Sequence, residues 1–321
     1  MRGFGIVAIV LVAIGVIGGA PSLPKPIPHG ESRLAVPGGH IWYRVTGTEH
    51  GTPVVLLHGG PGFSSYYLKP LEALGGERVV VRYDQLGSGK SDSLTDTTTF
   101  TIRHFVNELD LLRAHLGIAK WHIFGHSWGT ILALEYYRAH PDRVSSLVFG
   151  SPVFDLPAYE RRANQLVATL SDSSQRAVKR ALASRNYDAP DYQNAVSEFW
   201  GRYVFSRPVG EDLDSSLATF NTRLYEYMQG PSEFTITGTL RTYDAKPFLP
   251  EISVPTLVTA GEFDEVGPEI ARAHAALIPG ARFELVLDAA HITTWDAPEA
   301  TVRLVRDFLH AADSTLARTR R

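Results

Sequence analysis

The apolar positions of this chain follow two patterns that trade places. Val54-Val55-Leu56-Leu57 is a short continuous apolar run, and Val79-Val80-Val81-Arg82-Tyr83 is another. Uninterrupted runs of this length read as strands covered on both faces, as in a parallel sheet. Between Ile102 and Leu116 the spacing becomes helical, with Ile102, Phe105, Leu109, Leu112 and Leu116 on one stripe. Thr101 is placed to cap the start of that helix and Gly117 its end. Strand-like runs return at Trp121–Phe124 and Val144–Phe149, with a helix-forming run from Thr130 to Ala139 between them. His40–Val45 alternates, which predicts an edge strand. Strand and helix taking turns predicts an α/β fold with a doubly wound, mostly parallel sheet.

From Phe154 to Leu249 that rhythm stops. Ala158–Leu170, Gln175–Ala183, Tyr192–Phe205 and Leu213–Met228 read as helices, with turns at Pro157, Pro190, Pro208 and Pro231. The alternation resumes with strands at Thr256–Ala260 and Phe283–Leu287 and helices at Pro268–Leu277 and Ala297–Leu309. A helical block interrupting an α/β sheet predicts a cap over residues 154–249, between core segments 31–153 and 250–312. The polar residues 313–321 are expected to fray as a tail.

Ahead of the core, Phe4 to Ala20 is continuously apolar behind a single Arg2, and Pro21, Pro24, Pro26 and Pro28 follow. Residues 1–30 therefore read as an export signal or membrane anchor plus a proline-rich linker. The run is shorter than a spanning helix of about 20 residues and long for a signal core. Gly18-Gly19-Ala20 resembles a cleavage site, although Pro21 disfavours cutting there. Export to the periplasm or medium is favoured, with a membrane tether as the alternative.

Composition narrows the chemistry. With 321 residues and 44% hydrophobic content, a large core is available. A formal net charge of −3 and the lack of a long basic run argue against a nucleic-acid partner. There is no cysteine, which excludes disulfides, thiolate catalysis and Cys-based zinc sites. Gly89-Lys90-Ser91 hints at a phosphate loop, but the required earlier glycine is Asp84. No metal-binding motif appears and no cofactor is expected.

The chemistry instead gathers where strands end, which is where open parallel sheets place functional groups. After Trp121–Phe124 comes Gly125-His126-Ser127-Trp128-Gly129, a Gly-x-Ser-x-Gly turn leading into a helix. A strained strand–turn–helix elbow needs small flanking residues and exposes the serine hydroxyl at its apex. Gly261-Glu262-Phe263-Asp264-Glu265 follows the next-to-last strand, and Asp288-Ala289-Ala290-His291 follows the last. The order Ser, Asp, His is that of an α/β-hydrolase. Ser127 would be the nucleophile, His291 its base, and an acidic residue would hold the imidazole tautomer. Glu262, Asp264 and Glu265 compete for that last place; Asp264 is favoured. The developing oxyanion needs two backbone N–H donors, for which the residues in place are Trp128 and Gly60 of His58-Gly-Gly-Pro-Gly62. His58 reads as a loop-fixing residue, and His126 as one that points away from the serine.

Taken together, His58–Gly62, Asp84-Gln-Leu-Gly-Ser-Gly89, Gly125–Gly129, Gly230-Pro-Ser-Glu-Phe-Thr-Ile-Thr-Gly238, Gly261–Glu265 and His291 resemble the proline iminopeptidase (prolyl aminopeptidase) family of α/β-hydrolases. The likeness spans about Leu34 to Leu309 and is strongest to the branch of the tricorn-interacting aminopeptidase and amino-acid amidases. It implies a serine exopeptidase that removes an N-terminal residue, often proline, from short peptides or amino-acid amides. It further implies that Glu233 and Glu265 bind the substrate's free α-amine. Without the likeness, Glu233 reads equally as a helix-start residue and Glu265 as a solvated one. Trp128, Tyr66, Tyr67, Phe154, Trp295, Tyr225 and Tyr227 are candidates for an apolar pocket. The apolar N-terminus lies outside the family core, and His126 replaces a glycine common before the serine. An esterase or lactonase using the same three residues is the rival enzyme reading, and a non-catalytic ligand receptor is the rival of another class.

Overall fold

A computed structural model describes residues 26–319. The apolar segment Phe4–Ala20 and the end of the tail lie outside the described residues. Eight strands form one sheet: β1 (Gly30–Val36), β2 (Gly39–Gly47), β3 (Val54–Leu57), β4 (Val79–Asp84), β5 (Trp121–His126), β6 (Val144–Gly150), β7 (Thr256–Gly261) and β8 (Arg282–Val286). Their spatial order is β1-β2-β4-β3-β5-β6-β7-β8. β1 and β2 pair antiparallel, as do β2 and β4, and every later pairing is parallel. The apolar runs behave as their pattern predicts: β3, β4, β5, β6 and β7 are buried along their whole length.

The helices α1 (Ile102–His115) and α2 (Trp128–Ala139) fall within the first half, and α8 (Pro268–Leu277), α9 (Thr293–Asp296) and α10 (Pro298–Thr319) within the last part. Thr101 caps α1, its side chain accepting from His104 N, and Gly117 follows the helix in the left-handed region. Between β6 and β7 lies an insertion built on the helices α3 (Leu156–Val167), α4 (Asp172–Ser184), α5 (Pro190–Tyr203), α6 (Glu211–Ala218) and α7 (Thr222–Met228).

Four expectations need correction. The alternating strand at His40–Val45 is not at the edge, because β1 lies outside it. The outer strand is mostly exposed and polar, so it carries no apolar rhythm to read. Pro157 and Pro190 are not turns but sit in the first turns of α3 and α5. There the missing N–H costs no helical bond. Leu213–Met228 is two helices, because Asn221 breaks it. Its side chain accepts from Leu224 N to cap α7 and donates to Gly87 O, while its own N–H donates to Gly62 O. Finally, the C-terminal residues do not fray at 313: α10 continues through Thr319. Asp313 anchors it, pairing with the buried Arg78 at 3.0 Å and accepting from Thr52 Oγ1 at 2.8 Å.

Candidate active site

The elbow between β5 and α2 puts Ser127 at φ 52°, ψ −121°. A side chain rarely adopts a positive φ, and such strain persists only where the surroundings enforce it. Here strand and helix close in from both sides. A Cβ on Gly125 would collide with the Gly129 carbonyl oxygen, and one on Gly129 with the Leu57 carbonyl oxygen. Ser127 N donates to Gly150 O at 3.0 Å, tying the elbow to β6.

Two further loops converge on it. Beyond β7, Asp264 Oδ1 accepts from Val266 N at 3.0 Å and lies 2.8 Å from His291 Nδ1. Burial opposes ionisation of Asp264, yet the charge and hydrogen bond of His291 hold it below the usual carboxylate range. The His291 backbone is fixed on both sides of its peptide. Its N–H donates to Tyr203 O at 3.0 Å, and its carbonyl accepts from His126 Nε2 and Ser151 Oγ, each at 2.9 Å.

The glycine-rich loop after β3 is fixed by its own histidine. His58 Nε2 accepts from Gln85 N at 2.9 Å, so Nδ1 carries the proton and donates to Gly59 O at 2.9 Å. A trans peptide points its N–H opposite to its C=O. Holding the Gly59 carbonyl on the His58 side therefore turns the Gly60 N–H the other way. Gln85 completes this support by accepting from Trp128 Nε1 at 2.8 Å and donating to His58 O at 3.1 Å. Trp128 opens α2, and the first N–H groups of a helix have no partner within it.

Gly60, Ser127, Trp128, Glu233, Glu265 and His291 all line one cleft, which opens to solvent and spans about 670 Å³ with its mouth included. Asp264 is buried behind His291. Glu233 comes from the stretch after α7 and Glu265 from the loop after β7. Glu233 Oε1 accepts from Tyr225 OH at 2.8 Å and Oε2 from Trp200 Nε1 at 2.9 Å. Glu265 Oε1 accepts from Tyr159 OH at 2.8 Å, and its Oε2 is buried with no partner among the described residues. Both side chains are buried.

Three buried carboxyl groups, Asp264, Glu233 and Glu265, stand around one imidazole. Burial works against the imidazolium, but Asp264 and then Glu265 outweigh it and raise His291 to about 9. Burial, reinforced by Glu233, pushes Glu265 well above the usual carboxylate range despite the opposing pull of His291. Both directions have one meaning: the cleft favours an incoming cation. Among the described residues there is no group of three or more metal-ligating side chains that could hold a metal ion.

Of the aromatic candidates, Tyr67, Trp128 and Tyr225 line the cleft. The others do not: Phe154 packs on Phe149, Tyr227 lies exposed beside Phe100, Tyr66 stands under Arg82 and Lys90, and Trp295 covers Gly210. Sequence reasoning missed Phe63, Tyr159, Trp200, Phe205 and Phe220, which complete the apolar wall. All but Phe63 come from the helical insertion, where helical spacing makes a core aromatic and a cleft aromatic look alike.

The model of the α/β hydrolase fold family matches residues 52–298. The chain is 36% identical to the proline iminopeptidase of Heyndrickxia coagulans over 285 residues, 88% of this chain and 99% of that one. It is 32% identical to the proline iminopeptidase of Saccharolobus solfataricus over 83% of this chain and 87% of that one. The crystal structure of proline iminopeptidase from Mycobacterium smegmatis superposes with a TM-score of 0.82 at 30% identity, covering 89% of this chain and 100% of that one. An esterase from Exiguobacterium antarcticum, at 22% identity and a TM-score of 0.64, shares the fold. The protein is thus an α/β-hydrolase, and within that class it belongs to the proline iminopeptidase family.

Proposed function

We propose that this protein is a serine exopeptidase that releases an N-terminal residue, preferably proline, from short peptides or amino-acid amides. The observation that carries the reading is the meeting of two buried carboxylates, Glu233 and Glu265, with Ser127 and His291 in one cleft. A substrate's ammonium group entering there gains charge-assisted hydrogen bonds, each worth about 1.5–3 kcal/mol. A chain without that amine leaves both carboxylates buried and unpaired. The amine therefore fixes the substrate one residue deep, which makes the activity an exopeptidase rather than an endopeptidase.

The reaction then follows from the residues in place. Ser127 Oγ attacks the carbonyl carbon of the first residue as its proton passes to His291 Nε2. Asp264 keeps the other ring nitrogen, Nδ1, protonated and supports the imidazolium. The negative charge that develops on the carbonyl oxygen is met by the N–H groups of Gly60 and Trp128, a contribution of about 10²- to 10³-fold in rate per donor. Collapse breaks the C–N bond, and the imidazolium gives its proton to the leaving amine. A water molecule, deprotonated by His291, then attacks the acyl-enzyme and releases the amino acid. The aromatic wall of Phe63, Trp200, Phe205 and Phe220 suits a compact apolar ring. The apolar segment Phe4–Ala20 supports export or tethering of the enzyme.

The test is turnover of prolyl p-nitroanilide by the wild type and by Ser127→Ala. Turnover by the wild type that vanishes in the variant is expected; full turnover by Ser127→Ala would overturn the assignment. A wild type inert toward every small amide with a free amine would favour a ligand receptor.

A further inference from the structure

A buried hydrogen-bonded chain runs beside the reacting atoms without touching them. His126 Nε2 lies 2.9 Å from the His291 carbonyl oxygen, and His126 Nδ1 lies 2.9 Å from Tyr67 OH. A carbonyl can only accept, so Nε2 carries the imidazole proton. Burial and then the charge of His291 push His126 down to about 3, so the ring is neutral and Nδ1 is an acceptor. Tyr67, kept a phenol by burial, therefore donates to Nδ1. The tyrosine oxygen in turn accepts from Gly59 N at 2.7 Å. Every donor has one acceptor, and the direction of each bond along the chain is determined.

The two ends of this chain are what matter. Gly59 immediately precedes Gly60, and the far end is the backbone of His291. The middle is the residue before Ser127. The packing leaves no slack: a Cβ on Gly59 would lie 3.1 Å from Ser127 Cβ, 3.2 Å from Tyr67 OH and 3.3 Å from His126 Nδ1. The rings of Tyr67 and His126 meet edge to face at 5.2 Å, and His126 and His291 stand 4.8 Å apart. We infer that His126 and Tyr67 are positioning residues that hold the Gly59–Gly60 loop, the Ser127 elbow and the His291 loop in one fixed geometry. This rests on the serine-hydrolase reading above and adds a second-layer device to it.

Reactivity is steeply sensitive to such placement, with a displacement near 1 Å costing up to about 10²-fold. Tyr67→Phe keeps the ring and removes only the hydroxyl. It is expected to lower kcat by about tenfold or more while leaving KM for prolyl p-nitroanilide within about a factor of two. Affinity for a proline boronic acid, which adds to the serine and presents an oxyanion, should fall in step with kcat, whereas inhibition by free L-proline should not move. Two further variants divide the chain. His126→Gln retains a donor near the position of Nε2 and should behave like Tyr67→Phe. His126→Asn retains an acceptor toward Tyr67, loses the bond to His291, and should shift the His291 limb of the pH profile. Tyr67→Phe with wild-type kcat and boronate affinity overturns the inference while the serine mechanism stands. A wild type that neither cleaves the anilide nor binds the boronate overturns the serine reading, and this inference with it.

Discussion

Glu265 Oε1 lies 3.7 Å from His291 Nε2, the ring nitrogen that must accept the serine proton, while Asp264 Oδ1 holds Nδ1 at 2.8 Å. The imidazole thus stands between two carboxyl groups, which together raise it to about 9. His291 must lose that proton before it can serve as a base. Reaction of unliganded enzyme with a neutral organophosphorus serine reagent should therefore be slow at neutral pH and rise through about 9. Glu265→Gln removes the carboxyl group that shares a proton with the imidazole and should move the midpoint to lower pH. An unchanged midpoint in that variant would show that Glu265 does not govern the base. A bound ammonium group would act in the same direction as the substitution, so substrate recognition and activation of the base are linked through one carboxylate.

Glu233 is held by Tyr225 and Trp200 at once. Trp200→Phe keeps an aromatic wall and removes the donor to Oε2. KM for prolyl p-nitroanilide should rise about tenfold, the lower end for a bond to a charged group, with kcat changed less. Steady-state kinetics with the free-amine substrate checks this; a fall in kcat at constant KM would place Trp200 in the chemical step instead.

The C-terminal helix is part of the fold through Asp313. Arg78 is 2% exposed and would lose its carboxylate partner in Asp313→Ala. A fully buried pair broken this way costs about 3–5 kcal/mol, and the partial exposure of Asp313 places the loss below that range. Although burial opposes it, the hydrogen bond and charge of His122 lower Asp313 to about 2. A depressed carboxylate stabilises the fold above its unfolded pKa and loses that contribution as pH falls through the folded value. Thermal unfolding should separate wild type and variant clearly at pH 7, with the gap closing as pH approaches 2. Equal melting temperatures at neutral pH would show the tail to be dispensable.

What the sequence disclosed followed from how local each signal is. The strands β3 to β7 were legible because burial on both faces leaves an apolar run. The loops carrying Ser127 and Asp264 were legible because each directly follows such a run, and that of His291 because it follows the last strand, β8. β1 was not, since an exposed outer strand has no apolar rhythm to show. The supports of the site were not legible either, because their partners are remote: Tyr67 and His126 are 59 residues apart, Tyr159 and Glu265 are 106. His126 illustrates the limit. Its neighbour Ser127 suggested only that its side chain turns away, and where that side chain goes depends on loops far along the chain.

Recognition of the charged chain end by Glu233 and Glu265 is the central claim, and one ratio tests it most directly. kcat/KM is measured for prolyl p-nitroanilide and for its N-acetylated counterpart, in wild type and in Glu233→Gln. The wild type should prefer the free amine by about 10²-fold or more, as expected when two buried carboxylates are left unpaired, and the variant should lose most of that preference by slowing on the free amine alone. Equal rates on the free and blocked substrates in the wild type would contradict the account.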